Sequence, residues 1–328
     1  MTDTVLVTGA AGFLGRHVVA ALSERGLPVR ALVRQPSRSL AKAGIEQVVG
    51  DVEEPATLVP AFAGVGAVVH LAGAVSRAAA DATRMMRVHV DGTRNVVAAA
   101  RAAGTRRFIL ASSSGTTAVS HDENFVATED SPHAESVVAG WPYYLSKIFQ
   151  ERLLLGEPIP GLEVVALLPS LVLGPGDTRG SSTEDVLRFM QRRIPFVPTG
   201  GVNFVDVRDA AAAFVAALDK GRPGERYLLG GPNWTFATFF GRLERLAKVA
   251  APRLRVPGRW ARFGAEVLES YAEWRGTPPT VDKVAVEMAE CFWYLDAGKA
   301  ARELGFVARD PQETLMDTIR DLRSRFPM

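Results

Sequence analysis

Tyr143 and Lys147 stand four residues apart in the stretch PYYLSKIFQ. On a helix that spacing puts both side chains on one face, and Pro142 in front of them suits a helix start. A free tyrosine, with a pKa of about 10, exchanges protons poorly at neutral pH. A nearby ammonium favours the phenolate and makes proton transfer practicable. Tyr144 has Ile148 at the same offset and lacks such a partner. Upstream, the apolar run RRFIL ends in Ser112, Ser113 and Ser114, hydroxyls that by themselves read as a polar loop.

A second chemical feature lies near the start. In TGAAGFLGRHVV, Gly9, Gly12 and Gly15 recur every third residue, after the strand-like TVLVTG and before a helical pattern. Missing side chains let a backbone turn sharply and approach a pyrophosphate, whose charge sits among the free amides of a helix N-terminus. In that context the triplet reads as a dinucleotide cradle. The next strand ends VRALVRQPSR. Where an NAD-preferring protein usually carries an acidic residue for the ribose 2′-hydroxyl, Val33 is followed by Arg34. A guanidinium can pair with a 2′-phosphate, and Ser37 and Arg38 add potential contacts. NADP(H) is therefore expected in preference to NAD(H).

The elements that would position these groups follow from patterning. VLVTG, VRALV, EQVVG, AVVHLAG, RRFILAS and EVVALLPS are short apolar runs, as buried parallel strands require. Between them lie amphipathic stretches closed by Gly26, Gly104 and Gly156, in the place of helix C-terminal glycines. The expected fold class is α/β: a Rossmann-type doubly wound parallel sheet with a small, mostly helical C-terminal substrate-binding cap. The nucleotide domain is expected over 1–173, completed by 204–231 and 296–328. The cap takes 174–203, a Pro/Gly-rich excursion, and 232–295. Its aromatic residues Trp234, Phe236, Trp260, Phe263, Tyr271 and Trp274 suit an apolar pocket or plain core packing.

Bulk properties exclude other classes. The 328 residues are 47% hydrophobic and 23% charged with a net charge of +2. No basic stripe suggests nucleic acid, and no metal-ligand cluster is expected. Cys291 is the single cysteine, so no internal disulfide forms; a buried thiol is expected. No apolar run reaches the ~18–20 residues of a membrane span, and no cleavable leader is visible; a cytoplasmic protein is expected. A serine hydrolase fails for want of a Gly-x-Ser-x-Gly elbow.

Together these motifs resemble the extended branch of the short-chain dehydrogenase/reductase family, over nearly the whole chain. The resemblance adds HVDGTRNVVAAA, LPSLVLGPGD, NFVDVRDAAAAFVAAL and AGKAARELGF. It implies that Thr8, Gly9, Ala11, Gly12, Phe13, Leu14 and Gly15 cradle the diphosphate, and that Asp51 and Val52 flank the adenine. Leu71, Ala72, Gly73, Pro169 and Val172 would line the cofactor. Tyr143 would donate the proton, Lys147 would lower its pKa and anchor the nicotinamide ribose, and Ser113 would polarise the reacting oxygen. Ser114, Thr116, His121 and Asn203 are candidate substrate contacts. His89 stands where many members have the Asn of a proton relay; helix packing is the reading preferred here. Many relatives dimerise through two helices, one of them bearing the tyrosine, so a homodimer is expected.

The fold hosts several reactions. SSSGTTAVS lacks the Asp-Glu pair of sugar dehydratases, and TAV stands where nucleotide-sugar epimerases have VYG. ALVRQPS and SSSGTT resemble the dihydroflavonol-reductase-like subgroup. Reduction of a small ketone or aldehyde by NADPH is the leading expectation. A nucleotide-sugar epimerase with tightly held NAD(P) is the alternative, and an NADPH sensor without turnover a further one.

Overall fold

β1 (Thr4–Thr8), β2 (Val29–Val33), β3 (Glu46–Val49), β4 (Val65–His70), β5 (Arg107–Ala111) and β6 (Glu163–Pro169) coincide with the six apolar runs. The computed structural model describes residues 4–254 and 283–326; Trp260, Phe263, Tyr271 and Trp274 lie outside them. With β9 (Arg226–Leu229) these strands make a seven-stranded sheet of order β3-β2-β1-β4-β5-β6-β9. Every pairing in it is parallel. The order reverses between β2-β1 and β4, and the crevice beyond the C-terminal ends of β1 and β4 is where such sheets bind ligands.

Period-two alternation divides the strand side chains between two cores. Val5, Val7, Ile109, Val165 and Leu167 face a cluster shared with Val18, Val19 and Leu22 of the helix Phe13–Glu24 and with Phe214 of Val207–Lys220. Leu6, Phe108, Leu110, Val164 and Leu168 face the opposite cluster, with Val96 and Ala100 of Gly92–Ala102 and Leu154 of Pro142–Leu155. Each large side chain so buried contributes about 1.5–3 kcal/mol. Both faces are covered, which is why the strands read as continuous apolar runs.

A second sheet runs β10-β8-β7. β7 (Leu171–Leu173) is parallel to β8 (Gly201–Asp206), and β10 (Asn233–Thr235) is antiparallel to it. Helices Glu184–Met190, Phe236–Ala247 and Pro311–Arg325 pack on it through Phe189, Phe239, Phe240, Leu243, Leu315, Ile319 and Leu322. Trp234 and Phe236 join this cluster from its edge, so they serve packing. Of the segment 296–328, Gly298–Leu304 packs through Ala300 and Leu304 in the first of the two cores, and the last helix packs on the smaller sheet. Among the described residues no helix is long and apolar enough to cross a membrane, and no group of three or more His, Cys, Asp or Glu is placed to hold a metal.

Candidate active site

The helix Pro142–Leu155 begins with Pro142 in its first turn and carries Tyr143 toward the loop that follows β5. Of the three serines there, Ser112 is buried against Glu151, to which its hydroxyl donates. Ser114 is buried too, inside a 3-10 turn over Ser114–Thr116. Ser113 alone keeps partial exposure, and its hydroxyl is the polar group that opposes burial at the Tyr143 phenol. Of the three, Ser113 is the serine that is not buried.

One buried carboxylate holds this turn. Glu151 is 1% exposed and accepts from the Ser112 hydroxyl, next to Ser113. His133 Nε2 lies 3.1 Å from it and Arg226 Nη1 3.4 Å. These hydrogen bonds outweigh burial and keep the Glu151 carboxyl below its ordinary range.

Lys147 lies one helical turn beyond Tyr143, on the same face. Its Nζ donates to Ala111 O at 2.8 Å and Gln150 Oε1 at 2.9 Å, leaving one N–H free. Burial lowers its pKa to about 8, with the Glu151 charge opposing. From Gln150 a sealed chain runs to the glycine loop. Gln150 Nε2 donates to Thr93 Oγ1 at 2.6 Å, His70 Nε2 lies 2.9 Å from the same oxygen, and His70 Nδ1 lies 2.8 Å from Thr8 Oγ1. Thr8 Oγ1 also accepts from Leu71 and Ala72 amides, so its proton points to His70 Nδ1 and the ring carries its proton on Nε2. Sequence reasoning missed Gln150 and Thr93, because an amide three residues past a lysine carries no motif.

The tyrosine's acidity departs from expectation. Burial pushes the Tyr143 pKa up to about 12, opposed by the Ser113 hydroxyl, and the Lys147 charge is not among the causes. The lysine is drawn toward Ala111 and Gln150 instead. A phenol so placed keeps its proton at neutral pH, the state a proton donor needs.

His89 belongs to the scaffold. It is fully buried in a π-helical turn, Arg87–Asp91, a local form that often marks functional sites. Its Nε2 accepts from Ala74 N at 3.1 Å, and its Nδ1 lies 2.8 Å from Ser146 Oγ, which donates to Tyr143 O at 2.7 Å. This chain fixes the Nδ1–H tautomer and the backbone under Tyr143. Gly73 passes so close that a Cβ there would sit 2.9 Å from His89 Nε2.

Both buried histidines shape the pH dependence of stability. Burial lowers His70 to about 3 and His89 well below its usual value, so the folded chain keeps them neutral while the unfolded chain protonates them near 6.5. Their contribution is essentially complete at pH 7 and is lost as pH falls through 6.5, by about 2 kcal/mol for His70 between pH 7 and 5, with His89 acting in the same direction. Urea midpoints should therefore drop across that interval, and less steeply in His89→Asn. Equal midpoints at pH 7 and pH 5 would contradict this.

The glycine loop fits a dinucleotide. Gly9 has φ +68°, and a Cβ on it would lie 2.6 Å from the Leu71 carbonyl; one on Gly15 would collide with Gly9 O. No side chain caps the helix at Gly12, so its first amides, from Phe13, Leu14 and Gly15, are left for an anion. Ala11 lies in the turn before them. Val52 is buried against Gly92, and Asp51 closes a turn by accepting from Glu53 N at 3.0 Å. Pro169 ends β6 and Val172 lies in β7; between them Ser170 Oγ is buried with no partner among the described residues. At the end of β2, Arg34 and Arg38 are exposed, and no described residue pairs with either. The turn between them is pinned by Gln47, whose Oε1 accepts from Ser37 N at 2.7 Å.

Three expected substrate contacts need correction. Asn203 is 1% exposed and satisfied by Gly231 and Asn233, so it ties β8 to its neighbours. Thr116 is fully buried, donating to Ser113 O at 2.9 Å, and Ser114 is buried in the same turn. His121 is exposed, with Nδ1 3.7 Å from Cys291 Sγ; that thiol is buried.

The NAD dependent epimerase/dehydratase family model matches residues 5–230. The chain is 32% identical to a putative dihydroflavonol 4-reductase of Synechocystis sp., over 97% of this chain and 94% of that protein. It is also 32% identical to a 2-alkyl-3-oxoalkanoate reductase of Stenotrophomonas maltophilia, over 98% of each. The crystal structure of gox2253 superposes with a TM-score of 0.86 at 33% identity, covering 99% of both chains. The chain belongs to the NAD dependent epimerase/dehydratase family, as an extended short-chain dehydrogenase/reductase, and is an NAD(P)-dependent oxidoreductase.

Proposed function

We propose that this protein is an NADPH-dependent reductase of ketones or aldehydes. The observation that carries the reading is Tyr143 and Lys147 on one face of the helix Pro142–Leu155, with Lys147 tied to the end of β5 just before the half-exposed Ser113, in a chain whose glycine loop fits a dinucleotide. Relatives named as reductases over nearly the full length support it. When bound, NADPH supplies a hydride to the carbonyl carbon. Tyr143 holds a proton through neutral pH and gives it to the carbonyl oxygen as charge develops there. Ser113 donates to that oxygen and orients it. Lys147, with one N–H uncommitted, holds the nicotinamide ribose, and its ammonium stabilises the phenolate that Tyr143 leaves behind. The structure fixes the lysine beforehand through Ala111 and Gln150. A carbonyl panel with NADPH tests the reading: oxidation that depends on an added ketone or aldehyde supports it, and none on any member overturns it.

Cofactor preference follows from Arg34. A charge-assisted pair with the 2′-phosphate contributes about 1.5–3 kcal/mol. Arg34→Ala should therefore weaken NADPH binding about tenfold or more and leave NADH nearly unaffected, in a fluorescence titration of both. Equal affinities of the native protein for the two would contradict the assignment.

A further inference from the structure

Tyr143 begins a wall of aromatic rings that proton transfer does not use. The Tyr144 ring lies 5.0 Å from it, nearly perpendicular, and Trp293 lies 5.1 Å beyond with Trp141 stacked behind. Tyr144 and Trp293 close over Gly115, two residues past Ser113: a Cβ there would collide with the Tyr144 ring and lie 2.9 Å from Trp293. The rings therefore adjoin the loop that presents Ser113. Trp293 Nε1 donates to Met288 O at 3.0 Å, so the indole has only apolar surface to offer. Tyr144 differs. It is half-buried, yet its hydroxyl has no hydrogen-bond partner among the described residues. Tyrosine hydroxyls in such places usually find a partner. The charged groups facing it are Arg77, from the segment after β4, and Asp185, from the helix Glu184–Met190. They pair with each other at 2.9 Å, joining the segment after β4 to the helix Glu184–Met190.

We propose that Tyr144 is a specificity residue that donates a hydrogen bond to a second oxygen of the substrate, one or two carbons from the reacting carbonyl, while Trp293 packs the substrate's apolar body. The inference rests on the reductase reading and narrows it to oxo compounds bearing a neighbouring acceptor oxygen, such as β-keto esters. Burial holds the Tyr144 proton in place, so the hydroxyl offers a donor, and a second carbonyl oxygen is the matching acceptor. The two rings stand 5.0 Å apart, centroid to centroid, a span that one small molecule can bridge. An aryl ketone without the second oxygen would leave the donor unanswered.

The test compares ethyl 3-oxo-3-phenylpropanoate with 1-phenylpropan-1-one as NADPH-linked substrates, in wild type and Tyr144→Phe. Intrinsic reactivity differs between the two compounds, so the readout is the change in their kcat/KM ratio on substitution. A fall of about tenfold, arising mainly in KM of the ester, with NADPH affinity and melting temperature unchanged, is expected. An unchanged ratio overturns the inference while leaving the reductase reading intact. If wild type reduces neither compound nor any other carbonyl, the reductase reading falls, and equilibrium binding of the same pair, read by tryptophan fluorescence, decides the inference. Tighter binding of the ester that is lost in Tyr144→Phe sustains it; equal binding of both compounds overturns it.

Discussion

Tyr143→Phe is expected to lower carbonyl-dependent NADPH oxidation by about 10²–10⁴-fold, the range for loss of a positioned general acid, or roughly 3–5 kcal/mol of barrier. The substitution removes one oxygen. The ring keeps its edge-on contact with His89 at 5.8 Å and with Tyr144, so the helix start should stand. NADPH affinity, set by the glycine loop and Arg34, should change less than about twofold. Ser113→Ala should behave as a weaker version, since water can replace one hydroxyl but cannot replace the proton source. Stopped-flow oxidation with and without ketone separates the two quantities. Loss of NADPH binding in Tyr143→Phe would mean the tyrosine is structural; near-normal turnover would mean the proton comes from elsewhere.

Gly15→Ala should abolish NADPH binding within the measurable range. A Cβ at this position would collide with Gly9 O and lie 2.9 Å from Ala10 Cα. The neighbours that would have to yield are backbone, so the loop itself must shift. Overpacking of this kind costs about 1–3 kcal/mol of stability. The larger effect falls on the cofactor, because the amides it needs belong to the displaced turn. The chain from Thr8 through His70, Thr93 and Gln150 ends on Lys147, so the disturbance also reaches the catalytic side. Titration of the variant with NADPH, together with its melting temperature, checks both parts. A folded variant with native affinity would contradict the cradle.

What the sequence made legible follows physical rules. β1, β4, β5 and β6 are covered on both faces, so their side chains are apolar whatever the periodicity, and the runs stand out. The glycines stand out because φ +68° at Gly9 and the tight fit at Gly15 admit nothing larger. β8 did not stand out: its flanks carry Pro and Gly, and its partners β7 and β10 are three residues each. Which core the C-terminal helix joins was not legible, because an amphipathic pattern shows that a helix buries one face, not against what. Asn203 and Thr116 looked like ligands because polarity near a site is visible, whereas their satisfaction by Gly231, Asn233 and Ser113 is set by tertiary contacts. Glu151 and Gln150 escaped notice for the converse reason. Each is a common polar residue on a helix, and only the fold brings it under Ser113 or Lys147.

The proposed reaction is reduction of a carbonyl by hydride from NADPH with the proton from Tyr143. NADPH deuterated at both C4 positions, incubated with the wild-type protein and a ketone, tests it most directly. One deuterium on the new carbinol carbon and one NADP⁺ per alcohol are expected, with both lost in Tyr143→Phe. Absence of carbinol deuterium from every carbonyl offered, with a nucleotide sugar interconverted while bound NAD is not consumed, would contradict it.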